Sequence, residues 1–235
     1  EVAEKLGVGW ERIHDLNPDL IYVSISGYGA EGELANKPGY DTMVAAYAGI
    51  TSLTGEPGRS PVRPGVTTVD LSTGMLAYSG CMTALMARER GKARGQRVNV
   101  SLLESGVTLL GFHAASYLVA GHVDQREGAG YSTLAPYDAY RAKDGELMLG
   151  APTQAMWLKT CAALGAPELA DDPRFKTNAL RCDNREALRS KIELRLATRN
   201  VDEWIAILEG IGVATAPINT IDKVFDDPQT KAREM

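Results

Sequence analysis

Asp70 is the residue in this sequence best placed to do chemistry. It lies in Val66–Gly74, VTTVDLSTG. Val66, Thr67, Thr68 and Val69 have the stiff, β-branched side chains of a buried extended strand. After Asp70 the apolar residues Leu71, Met75, Met82, Leu85 and Met86 recur at the spacing of one helical face. The pattern predicts a strand running into a long helix, with Asp70 at the joint. Ser72, Thr73, Gly74, Ala77, Ser79 and Gly80 are small, so another backbone can approach that helix closely. In an α/β protein such a joint is the usual place for a ligand or a reacting group. Asp is also a favoured N-cap, which needs no chemistry. The two readings are compatible, because a helix N-terminus stabilises an ionised carboxylate.

Other constellations are weaker. Gly27-Tyr28-Gly29-Ala30-Glu31-Gly32 is a literal G-x-G-x-x-G behind the apolar run Leu20–Ser26. That motif holds a pyrophosphate only if a helix starts within it. Here Pro38-Gly39 ends any short helix at once, which predicts a loop. His14, His113 and His122 share no metal-ligand spacing, and no G-x-S-x-G elbow is present. Cys81, Cys161 and Cys182 are odd in number and far apart, which predicts reduced thiols and a cytoplasmic location.

The elements around these residues are set by composition and pattern. With 44% hydrophobic and 23% charged residues, the chain has the make-up of a globular protein, and its length allows one or two domains. A net charge of −5 without a basic stripe argues against nucleic acid as partner, and no apolar run is long enough to span a bilayer. Gln96–Leu102 reads as a second strand and Leu103–Ala120 as one amphipathic helix. The stretch 121–130 loses all periodicity and reads as a linker. Beyond it, Asp144-Gly145 between two short apolar runs signals a hairpin. Helical segments are expected over 154–164, 184–197 and 201–211, then a strand over 213–218 and a helix over 222–233 broken at Pro228. The expected domains are 1–120 in a large domain, 131–211 in a small α+β domain, and 212–235 returning to the large one.

A longer series of fragments carries a resemblance. Leu20–Gly29 (LIYVSISGYG), Pro38-Gly39-Tyr40-Asp41, Leu53-Thr54-Gly55-Glu56, Val69–Gly74 and Gly95-Gln96-Arg97-Val98 resemble the family III CoA-transferases, the CaiB/BaiF family. Ala135-Pro136-Tyr137, Glu168–Phe175 (ELADDPRF), Thr177-Asn178 and Ala216-Pro217-Ile218-Asn219 continue the likeness in the same order to the end of the chain. The resemblance implies an α/β fold: a large domain with a parallel sheet and helices, plus a small domain, in an interlocked homodimer. It also implies that the family's first nucleotide-binding strands precede Glu1 and its closing segment lies beyond Met235. By position, Asp70 matches the family's catalytic aspartate. No metal and no cofactor are implied, because CoA thioester and carboxylic acid are the substrates.

The chemistry implied is a covalent relay through aspartyl anhydride and aspartyl-CoA thioester intermediates. A carboxylate is a poor nucleophile in water, so the site must exclude solvent and supply N–H donors to an oxyanion; a helix start with small neighbours suits that. Tyr40 stands where the family's racemase branch has a histidine, and a tyrosine as a residue type is ill suited to sharing an α-proton near neutrality. It reads either as a loop aromatic over the helix start or as part of the substrate pocket. Lys37 reads as a ligand for CoA phosphates or as a solvated lysine. Arg63, in Pro61–Val66 (PVRPGV), reads as a partner for a distal carboxylate or as a solvated loop arginine. Gly128 and Gly130 fall where some members carry a glycine-rich lid, although EGAG is shorter than the run of the formyl-CoA branch. PVRPGV, the Asp70 motif and Ala114–Leu118 (AASYL) look most like members using succinyl-CoA and a dicarboxylic acid such as glutarate. The alternatives are an acyl-CoA racemase or epimerase, and a non-catalytic fragment.

Overall fold

A computed structural model describes residues 2–235. Its contacts divide the chain after Arg126 into two units.

The first unit opens with α1 (Val2–Lys5) and α2 (Trp10–Leu16) and continues through β1 (Ile21–Ser26), α3 (Asp41–Tyr47), α4 (Ile50–Leu53) and α5 (Thr68–Glu89). It closes with β2 (Gln96–Ser101), α6 (Leu102–Leu109) and α7 (Phe112–Ala120). β1 and β2 pair in parallel, from Ile21 opposite Gln96 to Ser26 opposite Ser101. Parallel neighbours need a long crossover, here the stretch containing α3, α4 and α5. The small residues of α5 do what their size permits. Thr73 and Ala77 are buried, and a Cβ on Gly80 would lie 2.7 Å from Val98 Cγ1 on β2. The larger apolar residues point the other way: Leu71 is 57% exposed and Met75 67%.

Behind the start of α5 lies a small core of Tyr28, Val44, Ala45, Val69 and Leu102, with Leu34, Ile50 and Leu103 against it. It gathers side chains from the loop after β1 and from α3, α5 and α6. β2 passes directly into α6 because Ser101 and Glu104 form a reciprocal cap, Glu104 N donating to Ser101 Oγ at 3.1 Å and Ser101 N to Glu104 Oε2 at 2.9 Å.

Two expectations for this unit change. Val66–Val69 is not a strand: α5 already begins at Thr68, and Val69 fills the core from the helix's first turn. Pro61, Pro64 and Gly65 precede it in a loop that pairs with no strand, so burial decides against β-propensity. The single helix expected over 103–120 is two, broken by 77° between α6 and α7, where Gly111 takes a positive φ of 53°. Among the described residues no single helix is long and apolar enough to cross a membrane.

The second unit contains the hairpin of β3 (Tyr137–Arg141) and β4 (Glu146–Gly150), turning at Asp144-Gly145. Next come the helices α8 (Gln154–Ala163), α9 (Glu168–Asp171), α10 (Asn178–Asp183), α11 (Arg185–Leu196) and α12 (Val201–Glu209). β5 (Ala214–Pro217), α13 (Ile221–Asp226) and α14 (Pro228–Ala232) complete it. Within residues 212–235, which are expected to return to the large domain, β5 adds antiparallel to β4, Leu147 opposite Pro217 and Gly150 opposite Ala214. The core shows why: Leu147 and Leu149 of β4, Trp157 of α8, Leu188, Ile192 and Leu196 at fourfold spacing on α11, and Val213 before β5 bury together.

Candidate active site

The loop after β1 and the starts of α3 and α5 meet at the carboxyl ends of the two parallel strands, joined by two close contacts. Leu103 N donates to Gly27 O at 3.0 Å, fixing the end of β1 against α6. A Cβ on Gly27 would stand 2.7 Å from Gly39 N, so the backbone after Pro38 folds flat onto the end of β1. The G-x-G-x-x-G stretch is therefore a loop without a helix in it; Gly29 and Gly32 take positive φ values and Tyr28 sinks into the core.

Asp70 is the third residue of α5 and exposed, not its N-cap. Thr67 occupies the cap and makes no side-chain capping bond. Asp41 caps from 29 residues away: its Oδ2 accepts from Val69 N at 2.9 Å and from Asp70 N at 3.1 Å. Thr68 N donates to Val66 O, and Leu71 N makes the first helical bond, to Thr67 O, so the N–H groups of Thr68, Val69, Asp70 and Leu71 all have acceptors. Among the described residues, no group bonds the Asp70 carboxylate. The expected oxyanion donors are corrected by the same bonds. The N–H groups at the start of α5 are taken, and the hydroxyls of Ser72 and Thr73 both donate to Val69 O.

Tyr40 immediately precedes α3; its carbonyl accepts from Val44 N, and the residue is 71% exposed. Asp41 thus brings Tyr40 and Asp70 to one place. Lys37 comes with them through the Gly27–Gly39 contact, but its ammonium sits over aromatic faces, 5.1 Å from the Tyr28 ring centroid and 5.9 Å from that of Tyr47. Those two rings meet edge to face at 5.3 Å. Arg63 is exposed on the loop before α5, and its Nη1 donates to Pro64 O at 3.1 Å. Gly128 and Gly130 belong to the second unit. Gly128 takes a φ of 70°, and Gly130 packs so tightly on β3 that a Cβ would lie 2.5 Å from Tyr137 O.

Three features were not visible in the sequence. One is the cap supplied by Asp41, whose only signal is an acid beside Tyr40. Another is the Tyr28–Tyr47 clasp on Lys37. The third joins His113 on α7 to Asp124, Nδ1 to Oδ2 at 2.7 Å, with His122 Nε2 3.2 Å from Asp124 Oδ1. His113 borders a cavity of about 310 Å³ walled by Leu53, Val107, Leu110, Ala114 and Leu118, and a second of about 380 Å³ that reaches Thr68.

The geometry is that of an exposed carboxylate on a rigid helix start, and the chain has clear relatives among known proteins. It is 37% identical over 225 residues to succinyl-CoA:glutarate CoA-transferase of Mus musculus, covering 96% of this chain and 51% of that protein. It is 34% identical over 235 residues to acetyl-CoA:oxalate CoA-transferase of Acetobacter aceti, covering all of this chain and 60% of that one. The crystal structure of a CAIB/BAIF family protein from Brucella suis superposes with a TM-score of 0.92 at 38% identity, covering all of this chain and 62% of that one. The chain thus spans about half to three fifths of the length of these relatives. The profile of CoA-transferase family III matches residues 1–235, and the chain belongs to that family.

Proposed function

We propose that the full-length protein is a CoA-transferase that moves CoA from an acyl-CoA to a free dicarboxylic acid, with Asp70 as the nucleophile. The observation that carries this is the Asp70 carboxylate itself, exposed and without a bonding partner among the described residues while Asp41 does the capping. The relatives' names support the acid class. They pair succinyl-CoA with glutarate, D-citramalate or mesaconate, and acetyl-CoA with oxalate, and each of these acids carries two carboxylates.

The relay balances without a net proton. An Asp70 carboxylate oxygen attacks the thioester carbonyl; the C–S bond breaks, giving a mixed anhydride and the CoA thiolate. The thiolate attacks the aspartyl carbonyl, expelling the first acid as its carboxylate and leaving an aspartyl-CoA thioester. The acceptor carboxylate attacks that thioester, regenerating an anhydride and a thiolate. Attack of the thiolate on the acceptor's acyl carbon releases the new acyl-CoA and the Asp70 carboxylate. Each step conserves the thioester's free energy in an activated acyl bond. In this reading Tyr40 borders the reacting groups, the protein works as a homodimer, and the oxyanion donors come from outside the first turn of α5.

The experiment is covalent trapping. Full-length protein given succinyl-CoA and then hydroxylamine should lose activity, with a hydroxamate on the peptide containing Asp70. Asp70→Asn should keep its melting temperature, because Asp70 caps nothing, and should lose turnover by orders of magnitude. A label on another peptide, or an active Asp70→Asn, overturns the proposal.

A further inference from the structure

We infer that Asp41 is a positioning residue for the transfer: it holds the backbone of the Asp70 helix so that the Asp70 carboxylate stays free to attack. This rests on the reading of Asp70 as the nucleophile.

A helix N-terminus presents four N–H groups without helical acceptors, and an acidic side chain in the first turn is the nearest group to satisfy them. Asp70 is such a side chain. If it turned back onto its own helix, its oxygens would accept hydrogen bonds and lose the electron density a nucleophile needs. In this protein the N–H groups of Thr68, Val69 and Asp70 are already supplied, one by the carbonyl of Val66 and two by the single oxygen Asp41 Oδ2. Asp41 is half-buried, and a carboxylate accepting from two backbone amides is held more firmly than a neutral acceptor would be. The neighbouring core fixes it further: Val44 and Ala45 of α3 pack with Val69 of α5, so Asp41 and the amides it binds ride on one rigid contact.

The arrangement does a second thing. Tyr40 comes directly before Asp41, so the bond that sets the start of α5 also sets the start of α3. The placing of Tyr40 relative to Asp70 thus rests on the Asp41 carboxylate together with the packing of Val44 and Ala45 on Val69.

The test uses the full-length protein. In Asp41→Ala the two amides lose their acceptor, and the Asp70 carboxylate turns back to accept in place of Asp41 Oδ2. The turnover number per folded molecule should fall about 10–100-fold, the worth of a charge-assisted hydrogen bond, with the KM for the CoA thioester changed less than about threefold. Asp41→Asn keeps an acceptor oxygen at the same reach. It should retain activity within about tenfold of wild type, and the Val69 and Asp70 amides should stay protected from hydrogen exchange. A purely structural residue would lower the folded fraction and leave the turnover number of the folded molecules unchanged. Folded Asp41→Ala with wild-type turnover overturns the inference. So does a folded Asp41→Asn as inactive as Asp70→Asn, and this arm holds even if the alanine variant fails to fold. An active Asp70→Asn would instead overturn the nucleophile assignment, which separates the two failures.

Discussion

Gly130→Ala distinguishes a packing glycine from a lid glycine, and its cost can be worked from the geometry. A Cβ at this position lands 2.5 Å from Tyr137 O, 2.9 Å from Asp138 Cγ and 3.0 Å from Asp138 Oδ2. Neither neighbour can yield freely. Tyr137 is paired with Gly150 in the hairpin, and Asp138 is 4% exposed and held by Arg189, with Arg185 3.7 Å away. Either the loop lifts off β3 or Asp138 shifts away from its arginines. Overpacking of this kind costs about 1–3 kcal/mol. In a domain of this size each kcal/mol lowers Tm by about 4–8 °C. Urea unfolding tracked by the fluorescence of Trp157 and Trp204, both buried in the second unit, reads the effect directly. A lid glycine would show the opposite pattern, with activity lost and stability kept. Unfolding of Gly130→Ala within about 0.5 kcal/mol of wild type would refute the packing argument.

Two further outcomes are expected from the same structure. Burial pushes the Cys161 thiol up to about 12, although nearby Arg181 favours the thiolate. At pH 8 iodoacetamide should therefore modify the half-buried Cys81 and Cys182 and spare Cys161, with all three reacting in urea; labelling of native Cys161 contradicts this. With a chiral 2-methylacyl-CoA in heavy water, the full-length protein should leave the α-hydrogen in place, because Tyr40 stands where the racemase branch has its histidine; rapid deuterium uptake would favour a racemase.

What could be read from the sequence divides along physical lines. β1, β2 and the Asp144-Gly145 hairpin were legible because two-residue alternation, continuous apolar runs and turn chemistry are local signals. Val66–Val69 misled because β-branched residues also suit a helix's first turn when one of them fills a core. The apolar stripe of α5 misled in a subtler way. Periodicity identified a face, but the small residues, not the large ones, pack on the sheet, as Gly80 against Val98 shows. The pairing of Ala214–Pro217 with β4 was not legible, because strand pairing is long-range and leaves no mark in a four-residue segment. At the site, Asp70 was legible by resemblance and by its place near a helix start. Its cap was not, because Asp41 acts across 29 residues and satisfies a backbone that sequence patterns do not show.

That hidden bond also explains how one scaffold can serve two chemistries. The resemblance implies that the position of Tyr40 holds histidine in the racemase branch. For such an exchange to be possible, the framework must not depend on the side chain there. In this protein it does not. Tyr40 contributes a carbonyl to Val44 N, which any residue can supply, and the rest of the residue is largely in solvent. The join between α3 and α5 is carried by Asp41 and by the packing of Val44 and Ala45 on Val69. Changing residue 40 therefore changes the chemistry offered next to Asp70 while leaving Asp70 where it is. Exchanging Asp41 would do the reverse, keeping the aromatic and misplacing the carboxylate. If Asp70 is the nucleophile as proposed, the pair Tyr40-Asp41 separates two tasks in adjacent residues: the first sets the side chain presented near the start of α5, and the second holds that helix start in place.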